Sequence, residues 1–226
     1  MELQDKIVVI TGAGSGIGRA LALRFQAEGA KQIVCADINL ANAQETADMI
    51  GGVAMLADVA KEEDTARIIE DTEANIGPID LFCCNAGVGY GESIHSPNEQ
   101  WQSIWDINVM SHVYAARHLV PRMVERGSGY FLNTSSAAGL LNQIGGAAYG
   151  VTKHAAVGFG EWLAIHHKHE GIGVSMLCPQ AVRTAMTAVD NDAVAAAANN
   201  GMIEPEELAD NSRWQTPRRH RNFPHT

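Results

Sequence analysis

Lys6-Ile-Val-Val-Ile10, running straight into Thr11-Gly-Ala-Gly-Ser-Gly-Ile-Gly18, decides how this chain folds. After Lys6 the run is β-branched and apolar with no alternation, which suits a strand covered on both faces in a parallel sheet. Beyond the glycines, residues 19–28 carry apolar side chains at helical spacing. A strand, a glycine turn and a helix in that order bring backbone N–H groups at a helix N-terminus to a phosphate, with no Cβ in the way. Gly12, Ser15, Gly16, Ile17 and Gly18 are therefore candidates to cradle a pyrophosphate.

The next apolar run, residues 32–36, ends at Asp37, 19 positions after Gly18. A carboxylate there can accept hydrogen bonds from a ribose 2′-OH and would repel a 2′-phosphate, which favours NAD over NADP. Ser15 offers no basic side chain in the loop and points the same way. The competing reading makes Asp37 a turn or N-cap residue before a helix over residues 41–50. Strand and helix patterns then alternate: 53–57, 61–76, 81–84, 98–126, 130–133, 149–170 and 173–178. Repeated βα units predict an α/β fold, a doubly wound parallel sheet with helices on both faces, binding ligands at the carboxyl ends of its strands. Asp58-Val59, Asn85-Ala86-Gly87, Ser135-Ser136 and Pro179-Gln180 each follow a strand and are expected to line one crevice.

The 226 residues are 46% hydrophobic, enough for one sizeable core, and no linker breaks residues 1–210, which are expected to form a single domain. A formal net charge of −10 offers no field for nucleic acid. No basic leader or ~20-residue apolar span is present, so a cytoplasmic protein without a membrane partner is expected. Cys35, Cys83, Cys84 and Cys178 lie in apolar runs without metal-ligand spacing and are read as reduced core residues. His166, His167 and His169 precede Gly171 and suit a helix C-terminus better than a metal site, so no metal is expected.

Tyr149 and Lys153 are one helical turn apart, so a phenol and an ammonium face the same point. A nearby positive charge favours the phenolate, and the pair is a candidate acid/base centre. Together with Thr11-Gly-Ala-Gly-Ser-Gly-Ile-Gly18, Asp58-Val59, Cys84-Asn-Ala-Gly87, Asn108, Ser136 and Pro179 with Val182 and Thr184, it resembles the compact, single-domain branch of the short-chain dehydrogenase/reductase family, from the glycine loop to about Met186. Ser136 is preferred to Ser135 because it precedes Tyr149 by 13 positions, the spacing usual in that family.

The resemblance implies that Tyr149 is the general acid/base and that Lys153 holds it toward phenolate and bonds the nicotinamide ribose. It implies that Ser136 fixes the substrate oxygen and that Asn108 holds a water in a relay to Lys153. Asn85, Ala86 and Gly87 would let the backbone approach the adenosine ribose, Asp58 and Val59 would meet the adenine, and Val182 and Thr184 would hold the carboxamide. A buried amide satisfied by backbone remains the alternative for Asn108. Cys84 and Gln180 depart from the family pattern, which commonly has Asn and Gly at those places. Gln180 is either a substrate contact or an outward loop residue, and Leu140, Leu141 and Ile144 suggest an apolar substrate.

The expected function is NAD-dependent interconversion of a small-molecule secondary alcohol and a ketone. An NAD-sensing protein without catalysis and a sugar-nucleotide epimerase are the other readings. Residues 193–198 could form a short lid helix over the substrate. Residues 205–210 read as a helix start, whereas 211–226 contain four Arg, two Pro and no acid, giving a +4 tail on a −14 body. Such a tail is irregular and cannot supply the family's last strand, so assembly is expected to rely on the long helices around Asn108 and Tyr149, as a homodimer or a homotetramer.

Overall fold

The computed structural model describes residues 1–90, 93–188 and 201–211. Strand β1 (Ile7–Thr11) leads through the glycine turn into helix α1 (Gly16–Ala27), followed by β2 (Gln32–Asp37), α2 (Leu40–Ile50), β3 (Val53–Leu56) and α3 (Glu62–Asn75). The second half runs β4 (Leu81–Cys84), α4 (Asn98–Trp105), a π-helical turn (Asp106–Met110), α5 (Ser111–Arg126), β5 (Gly129–Thr134), α6 (Ala138–Leu141), α7 (Ala147–His167) and β6 (Ile172–Leu177). The helix expected over 98–126 is therefore interrupted around Asn108. A π turn adds a residue to a single helical turn, too short a change to read from five residues, and such turns often sit at functional sites.

All strand pairs are parallel, in the order β3-β2-β1-β4-β5-β6. Both faces of β1, β2 and β4 are buried, which explains their unbroken apolar runs. Along β1, Val8 and Ile10 enter one core with Leu21 and Phe25 of α1, while Val9 enters the other with Ile68 of α3, Leu119 of α5 and Leu163 of α7. Strand β4 divides the same way, Leu81 and Cys83 against Phe82 and Cys84. Cys35, Cys83 and Cys84 are buried as expected, but Cys178 is only half-buried. The helix read at 205–210 forms as Pro205–Asn211, burying Leu208 and Ala209 and joining Arg24 of α1 through Asp210. The described residues contain six strands and not a seventh. The lid expected at 193–198 and the tail from 212 onward lie outside the described residues.

Because the chain builds outward from β1 to β3 and then returns to β4, the loops after β1 and β4 part in opposite directions and leave a crevice between them. One hydroxyl fixes its floor. Thr11 Oγ1 donates to the Cys83 carbonyl (3.1 Å) and accepts from Asn85 N (3.0 Å) and Ala86 N (3.1 Å). Asn85 adds to the same stitching, donating from Nδ2 to Thr11 O (3.1 Å) and accepting from Thr134 Oγ1 (3.1 Å). Thr11→Val keeps the shape but strands these partners, so chemical denaturation should show a loss of about 2–3 kcal/mol. A loss within about 0.5 kcal/mol, the range of an ordinary surface substitution, would mean that the hydroxyl is not what joins the two strand ends.

Candidate active site

The crevice at the carboxyl ends of the strands is a cavity of about 390 Å³. At one end Gly12 and Gly16, with φ of 65° and 51°, turn the chain from β1 into α1 through a conformation that suits glycine. Ser15 at the N-cap of α1 makes no side-chain cap bond, and no acid occupies the first turn. The helix N-terminus thus faces the cavity with its backbone donors uncovered, as an anionic ligand requires. Gly18 lies behind this surface: a Cβ there would collide with the Gly12 carbonyl, so its smallness serves packing.

Asp37 ends β2 at the cavity wall. One carboxylate oxygen accepts from Gly14 N (2.9 Å), the other from Asn39 N (2.9 Å). Of the alternative reading, the cap is corrected, because Asn39 caps α2 by accepting from Asn42 N (3.2 Å), while the bond from Asn39 N does make Asp37 a turn residue. Arg19, at the start of α1, is spent on the Gly14 carbonyl (2.6 Å) and on Glu45 (2.9 Å). A carboxylate with lone pairs to spare and an arginine already neutralised fit a ribose bearing free hydroxyls.

At the other end Ser136, Tyr149 and Lys153 converge. Lys153 is 3% exposed, and its Nζ donates to the Thr134 carbonyl at 3.3 Å. Burial pulls its pKa down to about 8. Burial also raises the Tyr149 phenol above its ordinary range, while the Ser136 hydroxyl, close enough to stabilise the phenolate, pulls it the other way. Lys153 Nζ stands 5.6 Å from the centre of the Tyr149 ring, and desolvation dominates both groups. Ser136 Oγ accepts from Ala138 N (3.2 Å), whereas Ser135 Oγ turns inward to the Lys153 carbonyl (2.9 Å).

Asn108 is 0% exposed and joins three segments. Its Oδ1 accepts from Val88 N (2.9 Å), and its Nδ2 donates to Val88 O (3.0 Å) and Thr152 Oγ1 (3.2 Å). Its amide is thus committed to holding the loop after β4 against α7, and the alternative of a satisfied buried amide describes the side chain. Gly87 fits between Asn108 and Lys153: a Cβ there would lie 3.2 Å from both Oδ1 and Nζ.

The cavity wall includes Gly12, Ser15, Gly16, Ile17, Asp37, Asp58, Val59, Asn85, Ala86, Gly87, Ser136, Tyr149, Lys153, Pro179, Gln180, Val182 and Thr184. Gly18 and Asn108 support it from behind. Leu141 and Ile144, expected as substrate contacts, are 83% and 80% exposed and are not among the residues lining the cavity. The sequence reading missed Ile38, Val88, Ile107 and Met186, which also line the cavity. Val88 could have been found as the neighbour of Gly87, but nothing in the pattern singles out Met186.

A family model described as short chain dehydrogenase matches residues 6–195. The chain belongs to the short-chain dehydrogenase family. It is 35% identical over 195 residues to the 1-deoxy-11-beta-hydroxypentalenate dehydrogenase of Streptomyces exfoliatus, spanning 82% of this chain and 70% of that one. It superposes on a short chain dehydrogenase/reductase from Burkholderia phymatum in complex with NAD with a TM-score of 0.83 and 27% identity, over 93% and 85% of the two chains. A Brucella melitensis protein described as ribose-5-phosphate isomerase superposes with a TM-score of 0.85 and 26% identity, over 93% and 84%. Fold alone does not select a reaction, and side chains in the crevice must. As a member of its family, this short-chain dehydrogenase is an oxidoreductase.

The burial of Lys153 has a measurable cost. Below about pH 8 the folded and unfolded chains both carry the proton, and the desolvated ammonium costs on the order of 3 kcal/mol. Between about pH 8 and the ordinary lysine range the folded chain has released a proton that the unfolded chain still holds, so this penalty fades as pH rises. Ligand-free Lys153→Met should therefore match or exceed the unmodified protein in stability at pH 7 and lose that advantage toward pH 10. An advantage that grows with pH would show that the lysine is not desolvated.

Proposed function

We propose that the protein interconverts a secondary alcohol and a ketone using NAD, with Tyr149 as general acid/base. The observation that carries this reading is a single crevice with a bare helix N-terminus and Asp37 at one end and Ser136, Tyr149 and Lys153 at the other. Gly12, Ser15, Gly16 and Ile17 would hold the pyrophosphate, Asp37 the adenosine ribose, Asp58 and Val59 the adenine, and Val182 and Thr184 the carboxamide. Bound there, the nicotinamide would accept hydride from the carbinol carbon or return it to the carbonyl.

The chain's own groups manage the proton. In ketone reduction the Tyr149 phenol gives its proton to the substrate oxygen, while the Ser136 hydroxyl donates to that oxygen as negative charge develops on it. In alcohol oxidation Tyr149 must be deprotonated before it can take the substrate proton. Lys153, with a pKa near 8, stands behind the phenol as the next group able to exchange protons. Because burial keeps the phenol protonated at neutral pH, oxidation should accelerate as pH rises and reduction should slow.

Absorbance of the reduced nicotinamide with a panel of secondary alcohols and ketones tests the reading. Tyr149→Phe should lower kcat by roughly 10²–10⁴-fold while NAD affinity changes little, since the phenol serves proton transfer. Turnover within about tenfold of the unmodified protein would remove Tyr149 from that role. In kcat/KM, NAD should exceed NADP by a wide margin, and Asp37→Ala should narrow it. Equal use of both cofactors by the unmodified protein would show that Asp37 does not read the ribose.

A further inference from the structure

We propose that Met186 sets the size of the group a substrate can carry beside its reacting carbon, and that Gly89 is the seat that allows it; this rests on the alcohol/ketone reading above. Met186 sits in a 3₁₀ turn, Ala185–Thr187, on the loop after β6. Thr187 fixes that turn: its Oγ1 accepts from Thr184 N (2.9 Å) and donates to Val182 O (2.8 Å). From there Met186 reaches the loop after β4. A Cβ placed on Gly89 would lie 3.2 Å from Met186 Sδ, 3.4 Å from its Cγ and 3.8 Å from Tyr149 Cδ2. The thioether therefore crosses the crevice and rests on bare backbone beside the ring that carries the reacting phenol.

The glycine is not required by its own backbone. Gly12 and Gly16 have positive φ, whereas Gly89 is outside the positive-φ set, so a Cβ there would act by pressing on its neighbours and not by straining the backbone. What it would meet within van der Waals range is Met186 and Tyr149. Methionine suits an adjustable wall, being unbranched, polarizable and able to follow the shape of an apolar partner. At 41% exposure it can shift without opening the core. Ile107 and Val88 continue the apolar surface. The slot thus takes a secondary alcohol or ketone flanked by an apolar group, and the reach of Met186 limits the bulk of that group.

The test compares kcat/KM for a bulky cyclic alcohol, such as 1-tetralol, with that for 2-butanol. It uses unmodified protein, Met186→Ala, Gly89→Ala and the double variant, with NAD affinity by fluorescence titration as an independent readout of an intact crevice. Met186→Ala should raise the bulky-to-small ratio at least about tenfold, the scale of removing several methylenes from an apolar wall. Gly89→Ala should lower the ratio by pressing the thioether into the slot. In the double variant that second effect should vanish, because contacting residues are non-additive. A ratio unmoved by Met186→Ala, or Gly89→Ala acting equally with and without Met186, would overturn the inference while NAD-linked turnover persists. If the unmodified protein binds NAD but turns over no alcohol or ketone, the alcohol/ketone reading fails first and takes this inference with it.

Discussion

The opposite departures of the chain after β1 and after β4 create a gap that the sheet cannot fill, and everything functional in this molecule depends on it. Strand order forces the parting, and short polar side chains keep it in register. Thr11 and Asn85 bond backbone groups of both strand ends, with Thr134 of β5 joined through Asn85, so three adjacent strands stop at a common level. Helix α1 can then aim its N-terminus across the gap only because Gly18 packs flat on the Gly12 carbonyl. The crevice is thus a property of the packed sheet and its first turn, with the loops as trimming.

At the far end of the gap the fold accepts an unfavourable burial. Lys153 is removed from water and compensated by one long hydrogen bond to Thr134 O, and its pKa falls accordingly. Tyr149 is desolvated as well, which raises its pKa, so burial drives the two values of the pair apart. In a site removed from water, every electrostatic interaction made there is stronger. Asn108 contributes by holding Val88 at both its N–H and its carbonyl, which fixes the loop that faces Tyr149.

The positions of β1, β2 and β4 were legible in the sequence because both of their faces are buried, which makes each an apolar run; β4 falls on the very residues read from it. Residues directly after the strands were legible for the same reason, since the fold rule places all carboxyl ends at one edge. Other features carry no one-dimensional signal. Spacing shows that Tyr149 and Lys153 share a helix face, but not that desolvation outweighs their mutual attraction. The closeness of Leu141 and Ile144 to Ser136 in the chain suggested a shared site, but it does not show that both side chains are left exposed outside the cavity lining. Met186 reaches Gly89 across 97 positions, a contact only the folded molecule reveals. The π turn at Asn108 is hidden because its side chain's partners, Val88 and Thr152, come from other elements.

One architecture here is shared by proteins described as a dehydrogenase and as an isomerase, so the fate of the hydrogen on the reacting carbon is the most direct test of the account. A secondary alcohol carrying deuterium at its carbinol carbon, incubated with the protein and NAD, should deliver that deuterium to the nicotinamide ring, visible by mass spectrometry, with slower turnover than the protium alcohol. Deuterium found in solvent water, or retained in a rearranged product while the nicotinamide stays unlabelled, would contradict direct hydride transfer in this crevice.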